Sequence, residues 1–95
     1  MPRYVVSPLA REDLKSIHKY IARDNRGAAR DVRLRMTEKF RMVGHNPEFG
    51  EPCDEIRPGL RFTLVGNYVI YYRLEAKKVL IVRVLHGARD RDRLL

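Results

Sequence analysis

The apolar residues of this 95-residue chain change their spacing partway along. Up to about residue 43 they recur every three or four positions, the interval that keeps side chains on one face of a helix. From residue 60 onward they alternate or run together, as they do in strands. A short β-rich run, "RYVVS" at residues 3–7, precedes the helical region and reads as a strand. Ser7 and Pro8 then predict a helix start, with serine as N-cap and proline at the first helical position. Glu12 and Asp13 suit a helix N-terminus. Ala10, Leu14, Ile17 and Ile21 make its apolar stripe, with His18 and Tyr20 beside them, and "DNRG" ends it after about Arg23.

A second helix is predicted from Arg26 or Gly27 to Val43, with Ala29, Val32, Met36, Phe40 and Val43 as its stripe. Gly44 is expected to be the residue just past its end, and Pro47 prevents continuation. Two amphipathic helices joined this closely form an antiparallel hairpin. Residues 45–59 hold three prolines and two glycines and read as a loop with room for a short extended piece. "LRFTLV" and "YVIYYRL" flank Gly66-Asn67, a two-residue hairpin signal. "EAKK" turns the chain into "VLIVRVLH", and "GARDRDRLL" is a polar tail. The order β-α-α-β-β-β predicts an α+β two-layer domain, with a helix hairpin packed on a mainly antiparallel four-stranded sheet. Residues 1–95 make a single domain.

The hairpin fixes a register. Val65 should oppose Tyr68, and paired residues share a face. One face then holds Leu60, Phe62, Leu64, Val69 and Tyr71. If Leu74 opposes Val79, Leu80, Val82, Val84 and His86 join them. The other face holds Arg61, Thr63, Val65, Tyr68, Ile70 and Tyr72, with Val79, Ile81, Arg83 and Leu85. The first face is the more apolar and is expected to meet the helices, although a one-residue slip would exchange the two.

Charge adds a functional hint. Twenty Lys and Arg against twelve Asp and Glu leave +8. Residues 1–47 carry eleven basic and five acidic side chains, so the excess gathers on the helices. Such a surface attracts an acidic partner, or it is simply a solvated helix face. The lone Cys53 cannot form an internal disulfide and fits a reducing cytoplasm. The N-terminus lacks the pattern of a secretion signal, and no apolar run is long enough to span a bilayer. No Cys/His spacing suggests a metal, and no cofactor is expected.

The stretch "RVLHGARD", residues 83–90, has the composition of an acid/base site. It can equally be the polar hem of a buried strand. The register puts His86 on the expected core face and Arg83 on the opposite one, which favours a hydrogen-bonded structural histidine.

Taken in order, "YVVSPLAREDLKSIHKYIARDN", "NPEFGEPCDEIRPGLRF", "GNYVIYYR" and "VLIVRVLHGARD" resemble a ParE-type toxin of the RelE/ParE superfamily, from type II toxin–antitoxin modules. The resemblance covers nearly the whole chain and implies the same β-α-α-β-β-β order. It implies a protein that inhibits DNA gyrase by binding, is not an enzyme, and is neutralised by a ParD-like antitoxin in a heterotetramer or larger complex. It implies neither a membrane nor direct specific DNA binding by this chain alone. The alternative it carries is a ribosome-dependent mRNA endoribonuclease of the RelE type, in which Arg61, Arg83, His86 and Arg89 would form the cationic site. RNA cleavage needs a base, a donor to the leaving oxygen and cations. Val69 stands where such nucleases carry arginine, Gly87 where others have tyrosine after the histidine, and leucine where the tail tyrosine would be. A third reading is a toxin fold that survives only as a binding module. The antitoxin is expected to engage Leu14, Ile17, Ile21, Arg30, Arg33, Arg35, Met36 and Phe40 on the helices, and Arg61, Arg73 and Arg83 on the sheet. The target is expected to meet Arg83, Arg89, Arg91 and Arg93.

Overall fold

The structure, a computed structural model, describes residues 3–90 and 93. Its elements run β1 (Tyr4–Val6), α1 (Pro8–Ala22), α2 (Arg26–His45), β2 (Glu51–Pro52), β3 (Arg61–Val65), β4 (Tyr68–Glu75) and β5 (Lys78–His86). Ser7 caps α1 by accepting the Ala10 N–H, and Pro8 opens the helix. Asn25 caps α2 in the same way through Ala28.

The sheet has five strands in the order β1-β5-β4-β3-β2, one more than the four predicted. The extra strand, β2, lies in the Pro/Gly-rich segment and pairs antiparallel with Phe62 and Arg61. Its two residues are too few to show any periodicity. β1 pairs parallel with β5, and every other pair is antiparallel. The predicted register is observed: Val65 opposes Tyr68 across Gly66-Asn67, and Leu74 opposes Val79. Gly66 has φ 56°, the left-handed conformation a tight turn demands.

The choice of face is reversed. Thr63, Val65, Tyr68, Ile70 and Tyr72 are buried, and the last four pack with Ile17, Met36, Phe40 and Val43 of the helices in one core. A bulge between Tyr71 and Tyr72 shifts β5, so that Val84 and His86 oppose Ile70 and Tyr68 on the helix side, and Leu85 turns outward. The outer face is apolar for a separate reason. Cys53 and Ile56, in the loop after β2, close over Leu60, Phe62, Tyr71, Val82 and Leu85. Each face has its own cover, so the degree of apolarity cannot tell them apart. The tyrosines made the inner face look polar, yet Tyr72 is fully buried. Its hydroxyl donates to the Pro47 carbonyl at 2.8 Å and accepts the Gly50 N–H at 2.7 Å.

The second helix runs two residues further than predicted, to His45. Gly44 lies inside it, and Asn46 takes the cap position. A Cβ on Gly44 would come within 3.2 Å of the Arg3 Cβ, so the glycine serves the close approach of the chain entering β1. Among the described residues no helix is long and apolar enough to cross a membrane.

Two measurements check this packing. Tyr72→Phe removes both hydroxyl bonds and strands the buried Gly50 N–H, and should lower unfolding free energy in urea by about 1–3 kcal/mol with an unchanged slope. The Cys53 thiol is pushed up by burial first, then by Glu55 and Asp54. It should resist a thiol reagent such as Ellman's at pH 8 in the native protein and react promptly in denaturant.

Candidate functional site

Beyond Ile81, the edge of β5 away from β4 has no strand beside it, because β1 pairs only with Val79–Ile81. Side chains occupy that open edge. The Ser7 hydroxyl donates to the Val82 carbonyl at 2.8 Å, Asp13 accepts the Val84 N–H at 3.0 Å, and Asp90 accepts the His86 N–H at 3.2 Å. Asp13 also takes a bidentate pair of 2.8 Å bonds from Nε and an Nη of Arg83. The two side chains are 9% and 13% exposed. Hydrogen bonding to Asp13 raises the Arg83 pKa further, against the opposing effect of burial. As expected, Arg83 lies on the face of β5 opposite His86: it opposes the outward Tyr71, while His86 opposes the inward Tyr68. Its guanidinium reaches α1 along the open edge of β5, where Asp13 also meets the Val84 N–H.

His86 is a turn-forming residue. Its Nδ1 accepts the Arg89 N–H at 3.0 Å, and its ring packs edge-on against Tyr68 with centroids 5.5 Å apart. Arg61, on the far side of β4, bonds the Gly50 and Glu48 carbonyls. Of the four residues of the nuclease alternative, Arg83, His86 and Arg89 lie near one another at the end of β5, while Arg61 is held apart across β4. Among the described residues no cluster of His, Cys, Asp and Glu could hold a metal.

A groove of about 490 Å³ opens between α1 and α2, over β1. It collects five of the predicted antitoxin contacts: Leu14 and Ile17 from α1, and Arg33, Met36 and Phe40 from α2. Met36 and Phe40 are buried and form its floor as part of the core. Ile21 packs against the same core, while Arg30 and Arg35 are exposed elsewhere on α2. The three sheet arginines are not brought to the groove. Arg61 holds the loop before β2, Arg73 pairs with Glu75 at 2.8 Å, and Arg83 is taken by Asp13. Sequence reasoning missed Tyr4, Val6 and Val32 in the groove wall and Lys15 and His18 at its rim. The β1 residues reach it only because β1 lies at the sheet edge under the hairpin, which spacing along the chain does not reveal.

A second pocket, about 330 Å³, lies on the other flank of α1, against the end of β5 and the turn after it. It gathers Arg83, Arg89 and Arg93 from the predicted target contacts, and Arg91 lies outside the described residues. Leu9 and Tyr20 of α1 also line it and were not anticipated. The Arg89 guanidinium stacks 4.9 Å from the centre of the Tyr20 ring.

Comparison with known proteins gives a consistent picture. Residues 4–91 match the family described as the ParE toxin of the type II toxin–antitoxin system parDE. The chain is 34% identical over 96 residues to Toxin ParE1 of Mycobacterium tuberculosis, covering 98% of this chain and 97% of that protein. It is 32% identical over 91 residues to Toxin ParE1 of Caulobacter vibrioides, covering 95% and 94%. A solved structure described as the chromosomal ParDE TA system from P. aeruginosa superposes with a TM-score of 0.75. It shares 18% identity, over 90% of this chain and 96% of that one, and so agrees in fold.

The Asp13–Arg83 pair gives the clearest test of the geometry. Asp13→Ala leaves a largely buried guanidinium without its counter-charge and the Val84 N–H without its acceptor. It should reduce stability by about 3 kcal/mol in denaturant titrations. Arg83→Lys keeps the charge but loses the two-pronged geometry, and should fall between that variant and the wild type.

Proposed function

Because the chain belongs to the ParE toxin family of type II toxin–antitoxin systems, we propose that it arrests growth by binding and inhibiting DNA gyrase in the bacterial cytoplasm. In this reading a ParD-like antitoxin neutralises it by laying an acidic amphipathic segment in the groove between α1 and α2. The observation that carries the antitoxin half is the groove itself: an apolar channel whose rim is cationic. Arg33 lies at its edge with no ion-pair partner among the described residues, and Lys15 has only an exposed 3.8 Å contact with Glu12. A partner segment with apolar side chains on one face and carboxylates beside them satisfies both features. An antitoxin disordered before binding would order itself along the groove, and that ordering offsets part of the contact energy. The assembly would be a heterotetramer or larger.

Action by binding rather than catalysis is supported by how the arginines are used. Arg61 and Arg83, the cations a nuclease would need near a phosphate, are anchoring a loop and a helix on strands separated by β4.

Expression without antitoxin should stop growth and induce the DNA-damage response, and the purified chain should block gyrase supercoiling. A toxin that leaves supercoiling intact but cuts messages at codon-aligned positions, seen by primer extension, would sink the gyrase reading. Arg33→Glu reverses the charge at the groove rim. It should weaken binding of an acidic ParD-type segment by about tenfold, more at low salt than at high, while leaving the melting temperature unchanged.

A further inference from the structure

The second pocket has a layered charge arrangement that folding alone does not require. Two of its three acids point inward: Asp13 and Asp90 are 9% and 14% exposed at their side chains and bond backbone N–H groups of β5, while Glu12 is 71% exposed beside Lys15. Two of its arginines point outward, each with one long contact to Asp90: Arg89 and Arg93 are 46% and 66% exposed. Beside them lie two large side chains outside both core clusters, Tyr20 at 56% and Leu9 at 60% exposure. Tyrosine and arginine around an apolar neighbour is the composition that dominates the energetics of protein contacts.

The pair is also held in place before any partner arrives. The turn carrying Arg89 is fixed by Asp90 N–H to the His86 carbonyl at 2.8 Å, Arg89 N–H to His86 Nδ1 at 3.0 Å, and His86 N–H to Asp90 at 3.2 Å. Little backbone ordering remains to be lost on binding. Ser7, Asp13 and Asp90 already fill the edge of β5, so a partner would engage side chains here and not add a strand.

We propose that this pocket, with Tyr20 and Arg89 at its rim, is the surface that grips the toxin's target, accepting a protein segment that presents a carboxylate beside an apolar side chain. The proposal rests on the reading of the chain as a toxin that acts by binding a protein. Arginine carries five donors, so a guanidinium leaning on Asp90 at 3.6 Å still has an edge to offer an incoming carboxylate. Nucleic acid fits less well. A phosphate backbone needs a row of cations, and here two outward guanidiniums stand over a floor of acids. The target surface lies on the opposite flank of α1 from the groove, and Ile17 is the residue common to the two linings. Arg83 becomes a positioning residue, fixing α1 against the turn.

The test uses the full chain carrying Tyr20→Ala or Arg89→Ala, with Arg33→Glu as the groove control. Three things are measured: growth arrest on induction, half-inhibition of gyrase supercoiling, and melting temperature with affinity for an acidic ParD-type segment. Both rim variants should relieve arrest and raise the half-inhibiting concentration by about tenfold or more, with melting temperature and antitoxin affinity unchanged. Variants that arrest growth as the wild type does overturn the proposal. So does a loss of toxicity that tracks a fall in melting temperature in both, since the pair would then be holding the fold. Tight binding of the wild type to a 20-base-pair duplex that Tyr20→Ala weakens would overturn the protein partner in favour of nucleic acid. If the wild type arrests growth without touching gyrase, the gyrase reading fails, and growth arrest alone then decides the pocket.

Discussion

The Asp13 carboxylate joins the helix layer to the sheet where β5 runs on past the end of β1. One oxygen pair holds the Arg83 guanidinium and the Val84 N–H together. An aspartate in that position, beside a charge that is itself mostly removed from water, is stable only because each of its bonds is made. The consequence spreads in both directions. Toward the sheet, Asp13 replaces part of the ladder that β1 is too short to supply, so the edge of β5 is not left open to another chain. Toward the helices, it sets where α1 crosses the sheet, and α1 is the wall between the groove and the second pocket.

The two cavities on either flank of that helix differ in chemistry. The groove is an apolar channel with cations at its lip, while the second pocket sets the exposed Arg89 and Arg93 over the buried Asp13 and Asp90. The +8 charge thus has structure. Much of it lies on the hairpin, where cations such as Arg11, Arg30 and Arg35 are exposed and have no ion-pair partner among the described residues. Repulsion among such cations is tolerable in water and salt. It also means that an acidic partner relieves strain already present and adds contacts to it.

Much of this architecture could be read from the chain. Ser7-Pro8 is a local signal that needs no tertiary context, and Gly66-Asn67 fixed the hairpin register because a two-residue loop admits few alternatives. The errors share one origin. β2, the cover formed by Cys53 and Ile56, and the bulge at Tyr71/Tyr72 are set by residues far apart in sequence. A loop that packs on a sheet makes the outer face as apolar as the inner one. A tyrosine whose hydroxyl finds two backbone partners, as Tyr72 does, counts as polar in a pattern and as core in the fold. Of the candidate site, the helix positions Leu14, Ile17, Arg33, Met36 and Phe40 were legible because helical spacing puts them on one face. Arg61, Arg73 and Arg83 were not separable from them, because an arginine's role depends on which carboxylate or carbonyl it reaches.

The strand order has a consequence in time. β5, made last, lies between β1, made first, and β4. While the chain is being synthesised β1 has no partner, the edge bonds of Ser7 and Asp13 have no backbone to meet, and Ile81 and Val84 are missing from the core. The sheet and its core are incomplete until residues 78–86 are in place. The groove wall at β1 and the pocket at the end of β5 are thus completed by the same late strand, so neither surface exists in its final form before β5 is in place.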